Sequence, residues 1–261
     1  MELFTSDEAV MTFVPVAVYW LHSGLYEVYA AALEKYRLHP MKEDARNRVS
    51  KLDVVRGVLL QQALQTAISL FLFKLTGEGI KPAEEPGTCS LVSTTRQFFV
   101  TAVVMDPWQY LMHHQMHRSL FLYKHVHSRH HRLVVTYAFG AQYNHRVDGL
   151  LIETASGTAA FLVSGMCTVK GVDDHWGYLL PWNSYILFRN NAAYHDVNHQ
   201  LAGGNCNLSQ PFFTVWDRLF GTYVPYSVEE RPAGGFLAKS APRGFPFCPS
   251  FTSRLTLLNR Y

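Results

Sequence analysis

From Ala9 to Tyr26 the chain runs 18 residues without a formal charge, and from Gly57 to Phe73 it runs another 17. Each stretch approaches the ~20 residues that carry a helix across a bilayer. A third, Leu91 to Met112, is interrupted only by Arg96 and Asp106, and a fourth, Leu150 to Val169, holds Glu153 among small residues such as Ala155, Gly157 and Gly165. Four such helices would leave a soluble protein little polar surface. The charged fraction agrees: it is 16%, against roughly a quarter in soluble domains. Apolar and aromatic content excludes intrinsic disorder, and a net charge of +3 is too small to imply a nucleic-acid partner. The N-terminal Met1–Glu8 carries no Lys or Arg, so it lacks the basic start of a cleavable signal peptide. Cys89, Cys167, Cys206 and Cys248 form no CxxC pair, and reduced, structural thiols are expected.

Loop charge gives an orientation. Lys35, Arg37, Lys42, Arg46, Arg48 and Lys51 crowd the first loop, whereas the segment Thr76–Ser90 has Lys81 and three glutamates. The positive-inside rule therefore puts the first loop in the cytosol and returns the third helix there at Met112. Seven of the 13 histidines follow directly, between His113 and His131. His113 and His117 share a helix face with Asp106 and Tyr110. His127, His130 and His131 form an HxxHH element; His145 follows in Tyr143-Asn-His145, His175 ends Asp173-Asp-His175, and His195 and His199 are again four apart. Neutral imidazoles at spacings of three and four converge on one centre. Eight or nine of them without a nearby cysteine fit two metal ions better than one closed structural zinc site. Ligand type leaves iron and zinc open; a lipid chain with unactivated C–H bonds favours an iron–oxygen oxidant.

These motifs resemble the fatty acid hydroxylase (sterol desaturase-like) superfamily, and within it the plant sphinganine C-4 hydroxylases. The resemblance rests on Asp106-Pro-Trp-Gln-Tyr-Leu-Met-His-His-Gln-Met-His117, Tyr123-Lys-His-Val-His-Ser-Arg-His-His-Arg132, Tyr143-Asn-His145, Val172-Asp-Asp-His175, Asn190-Asn-Ala-Ala-Tyr-His-Asp196 and the run Gln210–Thr222. It implies an all-α integral membrane helical bundle of about four apolar helices under a cytosolic, histidine-rich di-metal cap. Its organisation would be N-terminal membrane helices at 1–90, the hydroxylase domain at 91–240 and an atypical tail at 241–261. The implied activity is oxygen-dependent hydroxylation of a sphingoid base or ceramide at carbon 4, in the endoplasmic reticulum membrane. Two iron ions (zinc in an isolated protein), dioxygen, and electrons from NAD(P)H through cytochrome b5 would serve it, in a homo- or hetero-oligomer or alone. The implied metal ligands are His113, His117, His127, His130, His131, His145, His175, His195 and His199. A sterol C-4 methyl oxidase, or an impaired homologue acting only as a partner subunit, are the rival readings.

Three departures bear on these expectations. Asn198 stands where the last box ends HDxHH in the superfamily, removing an imidazole. The fourth apolar segment is short, so it must re-enter the membrane, lie in its interface or leave the site disassembled. The stretch Arg243–Tyr261 does not match the superfamily's ending. Among other residues, Asp106 is expected to orient His113 or His117 or to be a helix-end charge at the interface, and Asp196 to position, to cap or to face solvent. His114 and His125 are read as non-ligands, His22 as packed or interfacial, and Phe212, Phe213 and Trp216 as a membrane-surface patch.

Overall fold

The computed structural model describes residues 7–76, 91–154, 161–180, 189–200 and 205–241. The expected loop at 77–90 and the tail beyond 241 lie outside them. Three long helices dominate: α1 (Asp7–Tyr29), α2 (Lys51–Thr76) and α3 (Leu91–Arg118). At 1.5 Å per residue each is roughly 35–42 Å long, more than the ~30 Å of bilayer hydrocarbon. Length is not composition, however. Among the described residues one window, Lys51–Leu72 with a mean hydropathy of 1.2, is long and apolar enough to cross a membrane. The expected set of about four such helices is thus met by one.

After α3, Ser119 caps α4 (Leu120–His125), its Oγ accepting from Leu122 N at 3.3 Å. A 3-10 segment, His127–Arg132, and a single turn, α5 (Arg146–Gly149), follow, and α5 runs into a π turn at Leu150–Thr154. The fourth apolar segment ends as α6 (Phe161–His175), whose 15 residues span about 22 Å, too short to cross. Two short helices, α7 (Ala192–His199) and α8 (Val215–Phe220), follow among the described residues.

The all-α expectation needs one correction. Tyr226–Glu230 (β1) and Phe236–Ser240 (β2) pair antiparallel, with Val228 opposite Ala238. The connection Arg231-Pro-Ala-Gly-Gly235 ends on two glycines at positive φ, which alone turns the chain sharply. A Cβ on Gly235 would also lie 2.6 Å from Arg37 O, and Phe236 N donates to that carbonyl at 2.8 Å. Through this contact the hairpin clasps the first loop.

The core sits at one end of the long helices rather than between them. Tyr19 of α1, Val54 and Val58 of α2, Leu38, Leu133, Tyr143, Val172 and Trp176 of the connecting segments and α6, and Val197 of α7 form it. The Lys/Arg-rich loop belongs to the same end, since Leu38 N donates to Gly177 O (2.9 Å) and Arg48 N to Arg132 O (2.9 Å). Cys206 is disulfide-bonded, contrary to the reduced thiols expected from spacing, while Cys167 is free.

Candidate metal centre

Each helix end delivers its histidines for a local reason. His113 and His117 lie one turn apart near the C-terminus of α3. The tight 3-10 segment then brings His127, His130 and His131 back under them. His175 is the last residue of α6. Asn191 starts α7 by accepting from Ala193 N (3.0 Å) and Tyr194 N (3.1 Å), which aims His195 and His199 inward.

The outcome is two groups of four: His113, His117, His127 and His131; and His130, His175, His195 and His199. Within each group the ligand atoms all lie within 4.8 Å of one another. Neighbouring Nε2 atoms are closer still, at 3.1 Å for His113–His117 and His117–His131 and 2.9 Å for His175–His195. An ion about 2.1 Å from each nitrogen would hold neighbours at right angles about 3.0 Å apart. Because His130 and His131 are consecutive yet belong to different groups, the two centres adjoin.

Tautomers decide what these nitrogens can do. His130 Nδ1 bonds Tyr143 O (3.2 Å), His175 Nδ1 bonds Gly171 O (2.8 Å) and His199 Nδ1 bonds Leu133 O (2.8 Å). A carbonyl only accepts, so each Nδ1 carries the proton and each Nε2 presents a lone pair. His130 and His175 therefore point lone pairs at each other across 3.1 Å, an arrangement that a cation between them makes favourable. Protonation is not the remedy. Burial, with neighbouring imidazoles second, lowers His130, His131 and His195 well below the ordinary histidine value. For His175 burial is again the largest cause, and its value falls to about 4. The residues present thus fit metal ions.

Of the nine histidines implied as ligands, His145 stands outside both groups. Its Nδ1 accepts from Val147 N at 3.3 Å and caps α5, because an extended residue ahead of a helical turn satisfies the turn's own amides. His175 reaches its group although α6 is short, so the site is assembled; α6 ends where α3 does. Both groups reach four imidazoles without residue 198. Asn198 is fully buried, and neither amide atom has a hydrogen-bond partner among the described residues.

Of the two carboxylates singled out from sequence, Asp106 does different work from that expected and Asp196 holds a positioning role. Asp106 touches neither His113 nor His117. It accepts from Phe212 N (2.7 Å) and Trp216 Nε1 (2.6 Å), pinning the segment before α8 to α3. Phe212 is buried and Trp216 is spent on that bond, so the outward patch of α8 is Val215, Leu219 and Phe220 instead. Asp196 is fully buried rather than solvated. It bonds His39 Nε2 (2.8 Å) and Gln200 Nε2 (2.9 Å), tying α7 to the first loop. His114 stacks on Tyr110 and His22 bonds Asp173 (2.8 Å), both outside the groups.

Three supporting residues escaped the sequence reading. His127 Nδ1 bonds Asp148 Oδ2 at 2.7 Å, with both side chains buried. Asp217 accepts from Leu208 N (2.9 Å), Ser209 N (2.7 Å), Thr222 Oγ1 and Tyr194 OH; Leu208 O in turn accepts from His113 Nδ1 at 2.7 Å. His39 holds Asp196, as above. Asp217 lies inside the quoted Gln210–Thr222 run, a signal that could have found it; the pairing of Asp148 with His127 has none.

The family model described as fatty acid hydroxylase matches residues 98–222. Sphinganine C4-monooxygenase 2 of Arabidopsis thaliana is 51% identical over 249 residues, covering 90% of this chain and 95% of that protein. Sphinganine C4-monooxygenase 1 of the same plant is 49% identical, covering 92% and 96%. A very-long-chain aldehyde decarbonylase of Oryza sativa subsp. indica is 46% identical, covering 91% and 97%. No solved structure matches.

Proposed function

The chain belongs to the fatty acid hydroxylase family, and from that premise we propose that it is a monooxygenase that hydroxylates sphinganine at carbon 4, giving phytosphingosine-type bases. The observation that carries the chemistry is the pair of four-imidazole groups whose lone pairs face one another in a buried site. His113, His117, His127 and His131 would hold one iron, and His130, His175, His195 and His199 the other; bound iron supplies activation of dioxygen. Cytochrome b5 and NAD(P)H would deliver electrons, in an endoplasmic-reticulum, multi-pass setting with the Lys/Arg-rich loop and the histidines on the cytosolic side.

The chain's own residues prepare the site. Carbonyls of Leu208, Tyr143, Gly171 and Leu133 fix four of the imidazole rings and their protons, so each Nε2 stays aimed inward. Asp106 and Asp217 hold the loop that carries Leu208. Burial of the imidazoles keeps bulk water from the reacting carbon. Outward apolar side chains on α2 and α3, among them Leu59, Leu60, Val103 and Val104, match a lipid surroundings from which a long-chain base can enter.

Expression in yeast lacking its own sphinganine hydroxylase tests the reading, with long-chain bases quantified by mass spectrometry. Phytosphingosine is the expected product. Its absence from well-expressed protein, or consumption of a very-long-chain aldehyde in its place, would overturn it.

A further inference from the structure

The two histidine groups are held from behind by unlike partners. In the group of His130, His175, His195 and His199, every Nδ1 meets something uncharged: Tyr143 O, Gly171 O, the Gln210 amide at 3.2 Å and Leu133 O. In the other group, His127 Nδ1 meets a carboxylate, Asp148. Asp148 is wholly buried, and its second oxygen, Oδ1, has no donor among the described residues. Among the described residues its hydrogen bonding therefore runs through the His127 ring.

The surroundings hold that carboxylate still. His145 caps the turn on which Asp148 sits. On the other side Gln61 of α2 presses on Gly149: a Cβ there would lie 2.0 Å from Gln61 Nε2. Any residue but glycine at 149 would displace the buried Gln61 side chain. Gln65 Nε2 adds a bond to Gly149 O at 3.2 Å.

We propose that Asp148 is a positioning residue that makes the two metal centres unequal, the centre of His113, His117, His127 and His131 holding its ion more tightly than its neighbour. A carboxylate behind a ligating imidazole fixes the ring, raises its basicity and adds a negative charge that a carbonyl does not. In a dry site that charge is poorly screened. The inference rests on the reading of both groups as iron sites.

The test uses the full chain, purified in detergent and loaded with iron(II), then titrated with a coloured iron(II) chelator. Iron should leave in two steps, separated by about ten- to a hundredfold in chelator concentration. In Asp148→Asn, whose amide oxygen still accepts from Nδ1–H, the later step should move toward the earlier one. Loss of all iron in a single step from the unaltered chain overturns the proposal, and that measurement does not depend on the variant folding. Two steps that Asp148→Asn leaves in place also overturn it. A chain that takes up no iron overturns the reading of the groups as iron sites, and the proposal with it.

Discussion

The outer faces of the helices and the interior around the histidines follow opposite rules of burial. On α3, Val103 and Val104 are about half exposed, at 48% and 60%, whereas Asp106, two residues on, is wholly inside. In the cap the pattern recurs at particular sites: Asp148, Asp196 and Asp217 are inside, and Val215 and Leu219 of α8 are outside. Polar groups inside and apolar groups outside would make an insoluble surface in water. The chain is membrane-associated, as its family is, and the inversion reflects two different surroundings. The exposed apolar side chains suit a membrane, while the histidine groups and a network of hydrogen bonds occupy the inside.

The sharpest way to break this comparison is to remove an inner donor and an outer methyl group in parallel. His175→Ala takes one imidazole from a group of four. Hydroxylation should fall by more than the ~100-fold typical of losing a residue behind a ligand, with iron content falling too. Val103→Ala on the outer face of α3 should leave both unchanged. Equal losses in product formation and metal analysis would show that the two faces are not distinct.

A narrower contrast lies within α8. Asp217 accepts four hydrogen bonds from buried groups, so Asp217→Ala strands four donors and should cost about 3–5 kcal/mol of stability. Leu219→Ser, two residues away and pointing outward, should stay within about 0.5 kcal/mol in detergent. Thermal or denaturant unfolding of the detergent-solubilised protein measures both.

The smallest expected effect concerns pH, and it separates the inner histidines from one another. The buried imidazoles of the metal groups have lowered folded values, so their contribution to stability is full above the unfolded value near 6.5 and is lost as pH falls. His39 runs the other way. Burial alone would lower it, but its bonds to Asp196 and Glu43 leave it raised above 6.5. Its stabilisation is present below that value and fades as pH climbs through the folded one. The melting temperature of the ion-free protein should drop on both sides of neutrality, and His39→Asn should flatten the alkaline side alone. A melting temperature that does not decline with acid would contradict the lone-pair arrangement in the histidine groups.

Legibility in the sequence followed contact distance along the chain. Spacings of three and four could be read directly, so His113 with His117 and His195 with His199 were visible as pairs before any fold was known. The partners behind them were not, since His39 is 157 residues from Asp196 and Leu208 is 95 from His113. A contact made by folding leaves no local pattern. His145 illustrates the converse: a histidine in a motif looked like a ligand, but the turn it begins needed a cap. The hairpin was missed because two five-residue strands at the end of a helical chain carry little periodicity, although the glycine pair at its turn was in plain view. Among the described residues one of the expected crossing helices meets the length and apolarity of a membrane span.

One detail of the 3-10 segment reaches beyond the ligand set. His130 and His131 are joined by a single peptide bond, and successive α-carbons across a trans peptide are about 3.8 Å apart. The backbone thus ties the two groups together: the α-carbons behind one ring of each stay a fixed step apart whatever the rings do. Any substrate or oxidant that must touch both sites meets a gap set by covalent geometry.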